Sequence, residues 1–362
     1  MAFVQSETAL LFWWLNILHK RRYDALVGRF GSLDSALGHV SPALFRELGM
    51  KDDTIRNVFV KLEDFDPVVE LARLQRADVS LLSIEDDAYP RLLRESSDPP
   101  VFLSYRGDLS VLDHPCVAVV GTREMTPYGE RVAEWISPAL ARAGCTTVSG
   151  LAFGIDAVVA QETIDAGGRT VAVLGSGIGT IAPKTNARLA DAIVANGGLV
   201  VSEYPYTEGA QPFMFPARNR IVAGLSLATV VVEAPAQSGA LITARLALEE
   251  NRDVFACPGP LFDPAYEGNH RLIAEGQAQL LRSPDDVLRA IGVVVPASSA
   301  PSAYEPASPD EAAVLSRLTT LPTSIDDLVV HTGKSAGELA GILTMLELAG
   351  AVAKANAGWV RA

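Results

Sequence analysis

Two arginines flank an asparagine in Phe215–Arg220, FPARNR, directly ahead of the apolar run IVAGLSLATVVVEA. A guanidinium is a permanent, planar, five-donor cation, and its natural partner is a carboxylate or a phosphate held in two-pronged fashion. Arg218 and Arg220 therefore face either a bound anion or the carboxylates that end neighbouring apolar runs, Glu203 and Glu233. Tyr204, Tyr206, Phe213 and Phe215 lie in the same stretch as Arg218, Asn219 and Arg220. Flat rings beside fixed positive charge are what a single-stranded nucleic acid needs, because bases stack and phosphates pair.

Other segments carry related chemistry. Gly121, Thr122 and Arg123 follow the run VAVV, and together they suit a phosphate or an ordinary tight turn with a solvated arginine. Ser149 and Gly150 end TTVS and lead through Gly154 to Asp156, which the helix macrodipole favours as a structural cap. GSGIGTIAPKTN follows TVAVL. Ser238 and Gly239 open a helical pattern, with Thr243 one turn later. Four glycine-containing loops, each after a strand-like run, argue for an extended anion site.

Other chemistries lose support. No loop reads GxGxxG or GxxxxGK[ST], which disfavours classical dinucleotide binding and P-loop ATP hydrolysis. His114 and His270 pair with no serine or cysteine in a nucleophile motif such as GxSxG, so no catalytic residue is assigned. Glu203 and Glu233 could serve as acid and base in a sugar-phosphate enzyme, but with arginines nearby charge compensation is the expected role. Cys116, Cys145 and Cys257 lack the spacing of a zinc site and read as reduced, buried core residues, so no metal or cofactor is expected.

The elements that position these loops are visible in the chain. VAVV, TTVS, TVAVL, LVVSE, TVVVEA and DVFACP alternate with helical patterns of about ten residues, which predicts a Rossmann-like, doubly wound, mostly parallel α/β sheet of five to seven strands. Ligands of such sheets bind at the carboxyl ends of the strands. Residues 1–80 read as a small helical module and 81–292 as the α/β domain. A Pro/Ala/Ser-rich linker spans 293–309, and three helical patterns followed by a hairpin make 310–362 a winged helix. The stretch SAGELAGILTMLELAG carries two glutamates and no Lys, Arg, Asn or Gln, so this module is expected to contact protein, not read DNA.

The 362-residue chain has a net charge of −13. Residues 1–114 hold 13 basic against 18 acidic side chains, residues 115–290 hold 13 against 18, and the remainder 4 against 7. No segment is basic overall, so an anion site must be built locally from a few arginines and backbone amides. ALLFWWLNIL is too short to span a bilayer, and its basic cluster follows it, so neither membrane insertion nor secretion is expected and the protein is placed in the cytoplasm.

In order along the chain, GTR (121–123), SGLAFGID (149–156), SE (202–203), FPARNR (215–220), EAPAQSGALIT (233–243) and CPGP (257–260) resemble the DprA/Smf family of bacterial DNA-processing proteins. The likeness is dense from about Asp87 to Leu288. It implies a non-enzymatic protein that binds single-stranded DNA, forms a homodimer, and loads RecA onto incoming strands during natural transformation and recombination. The carry-over falls on Arg123, Ser149-Gly150, Arg218-Asn219-Arg220 and Ser238-Gly239, with dimer and RecA surfaces toward 245–290. Gln161, Ala182 and Gln277 depart from the family's common His, Tyr and Ala. The rival reading is a nucleotide-processing Rossmann enzyme resembling the lysine-decarboxylase-like phosphoribohydrolases, whose PGGxGT signature is replaced here by APAQSGALIT.

Overall fold

A computed structural model describes residues 6–294, 304, 306–319, 322–355 and 358–361. The chain divides into two compact units, Met1–Val295 and Pro296–Ala362. Most of the linker expected at 293–309, namely 295–303 and 305, lies outside the described residues.

The first unit opens with six short helices between Glu7 and Arg76. Their starts are set by side-chain oxygens: Ser6, Ser32, Ser41 and Asp66 each accept a first-turn amide, and Pro42 and Pro67 occupy first helical positions. The first seven residues of ALLFWWLNIL lie in the nine-residue helix Glu7–Leu15, which buries Leu10, Phe12 and Trp13. Among the described residues no helix is long and apolar enough to cross a membrane.

A nine-stranded sheet follows: β1 Ser80–Ser83, β2 Phe102–Gly107, β3 Cys116–Val120, β4 Thr146–Ser149, β5 Arg169–Val173, β6 Leu199–Ser202, β7 Ala228–Val231, β8 Asp253–Ala256 and β9 Gln279–Leu280. Its order is β1-β2-β6-β5-β4-β3-β7-β8-β9. β3 to β9 pair in parallel, and β1 and β2 add an antiparallel edge. The sheet is thus wider than the five to seven strands expected. β1 and β2 fall outside the strand–helix alternation, within and beside a Pro-rich connector, and β9 is only two residues long.

The six β-branched runs form β3 to β8. A strand covered by helices on both faces can afford no polar alternation, and every residue of β3, β4, β6 and β7 is buried. After β6 the chain crosses back over the sheet to lay β7 beside β3, pairing Val120 with Val231. The crevice beyond the carboxyl ends of β3 and β7 is therefore the topological switch point of the fold.

In the second unit the helices Pro309–Leu315, Ile325–Thr332 and Ala336–Leu348 close around Val314, Leu328, Leu343 and Trp359. Two antiparallel strands, β10 Val352–Ala355 and β11 Gly358–Arg361, complete a winged helix.

Candidate nucleic-acid interface

At the switch point lies a cavity of about 430 Å³, lined by Gly121, Thr122, Arg123, Gly150, Phe215, Arg218, Asn219, Ser238, Gly239 and Thr243. Residues from four separate segments thus meet in one place. Ala152, Asp156, Gln237 and Ile242 also line it.

Gly121 starts the turn after β3, where an added Cβ would lie 2.5 Å from Ile155 Cγ1. Only glycine lets the helix Ile155–Asp165 pack this close. The Thr122 amide donates to the Glu233 carbonyl at 2.7 Å, and the Ile155 amide donates to the Thr122 carbonyl at 3.2 Å. This fixed backbone sends the Arg123 side chain outward, where its guanidinium lies 5.1 Å from the centroid of the Phe215 ring. Arg123 is exposed, and among the described residues it makes no salt bridge. Stacking on an aromatic face holds a cation in place without neutralising it.

Glu233 sets this loop and has no arginine partner, contrary to the charge compensation expected. Fully buried, its carboxylate accepts from the Thr126 amide at 3.0 Å, the Thr126 hydroxyl at 2.7 Å and the Tyr266 hydroxyl at 2.8 Å. A side chain at Gly129 would collide with that carboxylate. Thr126 in turn caps the helix Pro127–Arg142 by accepting from the Gly129 amide at 3.1 Å.

Arg218 lines the cavity floor and is only 4% exposed. Its Nη1 donates to the Val173 carbonyl at the end of β5, and its Nε donates to Asn219 Oδ1 at 2.9 Å. Nη2 lies 3.9 Å from Asp156 Oδ2, which also accepts from the Gly150 amide at 2.9 Å. Burial pushes the Asp156 carboxyl up, while Arg218 and the amides of Ala152 and Gly150 draw it back down. Burial likewise lowers the Arg218 pKa against the pull of Asp156. The Asp156–Arg218 pair thus ties the β4 loop to the helix Met214–Gly224, and part of the Arg218 charge is spent internally.

Arg220 lies outside the cavity. Its guanidinium donates to both Glu203 oxygens, at 2.9 and 2.6 Å, and to Asp98 at 2.9 Å. Burial works against this charge, but Glu203 and Asp98 outweigh it and the pKa rises. Of the two arginines in FPARNR, Arg220 is the one that anchors the helix.

Ser149 and Phe213 also stand apart from the cavity. Ser149 is buried at the end of β4, where its hydroxyl donates to the Asp156 carbonyl at 3.4 Å. Phe213 precedes the helix Met214–Gly224 and is 66% exposed. Ser238 caps the helix Gly239–Glu249 by accepting from the Ala240 amide at 3.2 Å. The N-terminal turn of that eleven-residue helix thus borders the cavity and adds partial positive charge to its wall. Asn219 Nδ2 donates to the Gly239 carbonyl at 3.2 Å and fixes the two helices to each other.

The β4 loop is the strained part of the wall. Leu151 has φ 55°, a left-handed conformation that costs a side-chain-bearing residue roughly 1–2 kcal/mol. Asn186 Nδ2 holds it there by donating to the Leu151 and Ala152 carbonyls at 3.0 and 3.2 Å. Asn186 was not legible as part of a site, and Glu233 reads in sequence as an arginine's partner or an acid–base group instead of a clamp, because the groups both engage are distant in sequence.

A glycine-walled cavity bordered by an exposed arginine, at the switch point of a doubly wound sheet, defines a Rossmann-like protein. The chain belongs to the DprA/Smf family. Residues 80–292 match the family model for DNA recombination-mediator protein A, and residues 298–358 match that for the DprA winged helix domain. It is 38% identical to Protein Smf of Escherichia coli K12 over 298 residues, covering 80% of this chain and 79% of that protein. It is 47% identical to DNA processing protein DprA of Streptococcus pneumoniae over 206 residues, 57% of this chain and 72% of that one. The X-ray structure of DprA from S. pneumoniae superposes with a TM-score of 0.60 at 36% identity, over 79% of this chain and 93% of that one. The structure of the Helicobacter pylori protein, described for its single-stranded DNA binding mode, superposes with a TM-score of 0.53 at 30% identity, over 59% and 95%.

Proposed function

We propose that this protein is a non-enzymatic recombination mediator. It binds single-stranded DNA in the Arg123 cavity, protects incoming strands and loads RecA onto them in the cytoplasm during natural transformation. The observation that carries the reading is Arg123, an exposed cation stacked on Phe215 at the mouth of a glycine-walled cavity. A backbone phosphate fits between its guanidinium and the helix N-terminus at Ser238-Gly239, and a base fits against the remaining aromatic surface. Arg218, Asn219 and Thr243 form the floor and walls. Gly121, Thr122 and Gly150 allow close backbone approach, while Ser149 and Arg220 act as supports. Phe213 is placed to meet a base outside the cavity.

Residues 81–292 are the DNA-binding domain in this reading, 1–80 the helical module, 293–309 the linker and 310–362 a protein-contact winged helix. Homodimer and RecA contacts fall within 245–290. That assignment is supported by the exposed edge strand β9 and by the side chains of Leu261 and Phe262, 76% and 95% exposed. Titration of labelled oligonucleotides with the wild type and Arg123→Ala, with nucleoside monophosphate hydrolysis assayed in parallel, tests the proposal. Strand binding lost in the variant supports it. Monophosphate turnover without strand binding establishes the nucleotide-processing enzyme instead.

A further inference from the structure

The loop between β4 and the helix Ile155–Asp165 carries one large exposed apolar side chain outside the cavity. Phe153 is 49% exposed, in a segment where Ala152 before it lines the cavity. Scattered apolar side chains on a surface are ordinary. Phe153 differs in how rigidly it is presented. Leu151 and Gly154 both have positive φ, 55° and 72°, and the Leu151 and Ala152 carbonyls accept from Asn186 Nδ2. Gly154 packs onto the Thr122–Arg123 backbone so closely that an added Cβ would lie 2.7 Å from the Arg123 carbonyl oxygen. The loop holding Phe153 therefore rests directly on the turn that projects Arg123.

We infer that Phe153 is a base-stacking platform at the rim of the cavity, for the nucleotide next to the one whose phosphate meets Arg123. This rests on the strand-binding reading above and extends it. Arg123 already covers one aromatic face, Phe215, so a second, exposed ring on the loop that packs against the Arg123 turn gives an adjacent base somewhere to stack. A ring on a fixed loop loses little freedom when a base covers it, which is the condition under which stacking yields affinity. The contact is to a π-face and tolerates every base, matching a mediator without sequence preference.

The test compares wild type, Phe153→Ala, Phe153→Trp and Arg123→Ala in the full chain. Each is titrated with an oligothymidylate and with a strand of equal length in which every nucleotide is abasic. Phe153→Ala is expected to weaken oligothymidylate binding roughly 5- to 150-fold, the worth of one stacked base, while leaving the abasic strand and the salt dependence unchanged. Phe153→Trp is expected to restore binding and to show indole fluorescence quenched by the bases. Equal losses on both strands from Phe153→Ala would make Phe153 a structural residue and overturn the inference. Wild-type affinity in Phe153→Ala alongside lost affinity in Arg123→Ala would overturn it and leave the strand-binding reading intact. Wild-type affinity in both would overturn the two together.

Discussion

Gly150→Ala is the smallest perturbation that reaches the centre of the site. A Cβ at position 150 would lie under 3.0 Å from Nη1, Nη2 and Cζ of Arg218. The tip of an arginine ordinarily swings aside from such a methyl at little cost. Here it is held by the Val173 carbonyl, by Asn219 at 2.9 Å and by Asp156 at 3.9 Å. Retreating by roughly 1.5 Å to ordinary contact distance breaks at least one charge-assisted hydrogen bond and leaves Asp156 buried beside a displaced partner. One such bond is worth about 1.5–3 kcal/mol, so a destabilisation of about 3 kcal/mol is expected once packing strain is included. Hydrogen-exchange mass spectrometry of the β5 peptide should then show exchange about 100-fold faster than wild type. Gly239→Ala is the control, because a Cβ there meets nothing within 4 Å and the position opens a helix. It should leave exchange unchanged or slower, since alanine is the better helix former by roughly 1 kcal/mol. Equal exchange in Gly150→Ala and wild type would refute the placement of the Arg218 guanidinium over Gly150.

Four further outcomes follow from the same geometry. Glu233→Gln removes the charge that three donors satisfy and should cost about 2 kcal/mol, read as a lowered urea midpoint, with weaker oligonucleotide binding as the Arg123 loop loosens. Phe215→Ala should weaken strand binding about tenfold or more, because its ring both lines the cavity and carries Arg123. Burial pushes the thiols of Cys145 and Cys257 up to about 11 and that of Cys116 to about 12, from an ordinary 9.0. In the unfolded chain these thiols ionise first, so the stability they contribute is complete below about pH 9 and is lost as pH rises through about 11. Ellman's reagent at pH 8 should accordingly label all three only after denaturation. A chain ending near Val293 should keep the strand affinity of the full protein, because the helix Ala336–Leu348 offers Glu338, Glu347 and the exposed Met345 and Leu348, and no cationic side chain.

Much of the architecture was written in local pattern. β3 to β8 are short, β-branched and largely buried, and four of them are followed by glycine-containing loops, so periodicity and turn chemistry pointed to the same sheet edge. β1 and β2 escaped because an antiparallel edge without a crossover helix leaves no alternating signature, and Pro99-Pro100 read as connector. The gathering of Arg123, Gly150, Phe215 and Ser238 in one cavity was legible from fold logic alone. The division of labour between Arg218 and Arg220 was not. It depends on Asp98, 122 residues away from Arg220, and on Asp156, which was expected to cap its own helix but instead accepts from the Gly150 and Ala152 amides of the preceding loop and faces Arg218. Glu233 misled for a related reason: a buried carboxylate satisfied by amide and hydroxyl donors looks, in sequence, like one awaiting an arginine. Phe153 gave no sequence signal, since its significance lies in the backbone conformation on either side of it.

The central claim is that Arg123 is the cation a DNA phosphate meets. It is tested most directly by measuring oligothymidylate affinity for wild type and Arg123→Ala across a salt series. The logarithm of the wild-type binding constant should fall linearly with log salt concentration. Arg123→Ala should bind more weakly, with a slope shallower by about 0.7, the contribution of one neutralised phosphate on a single strand. An Arg123→Ala protein that binds with wild-type affinity and an unchanged slope would contradict the account.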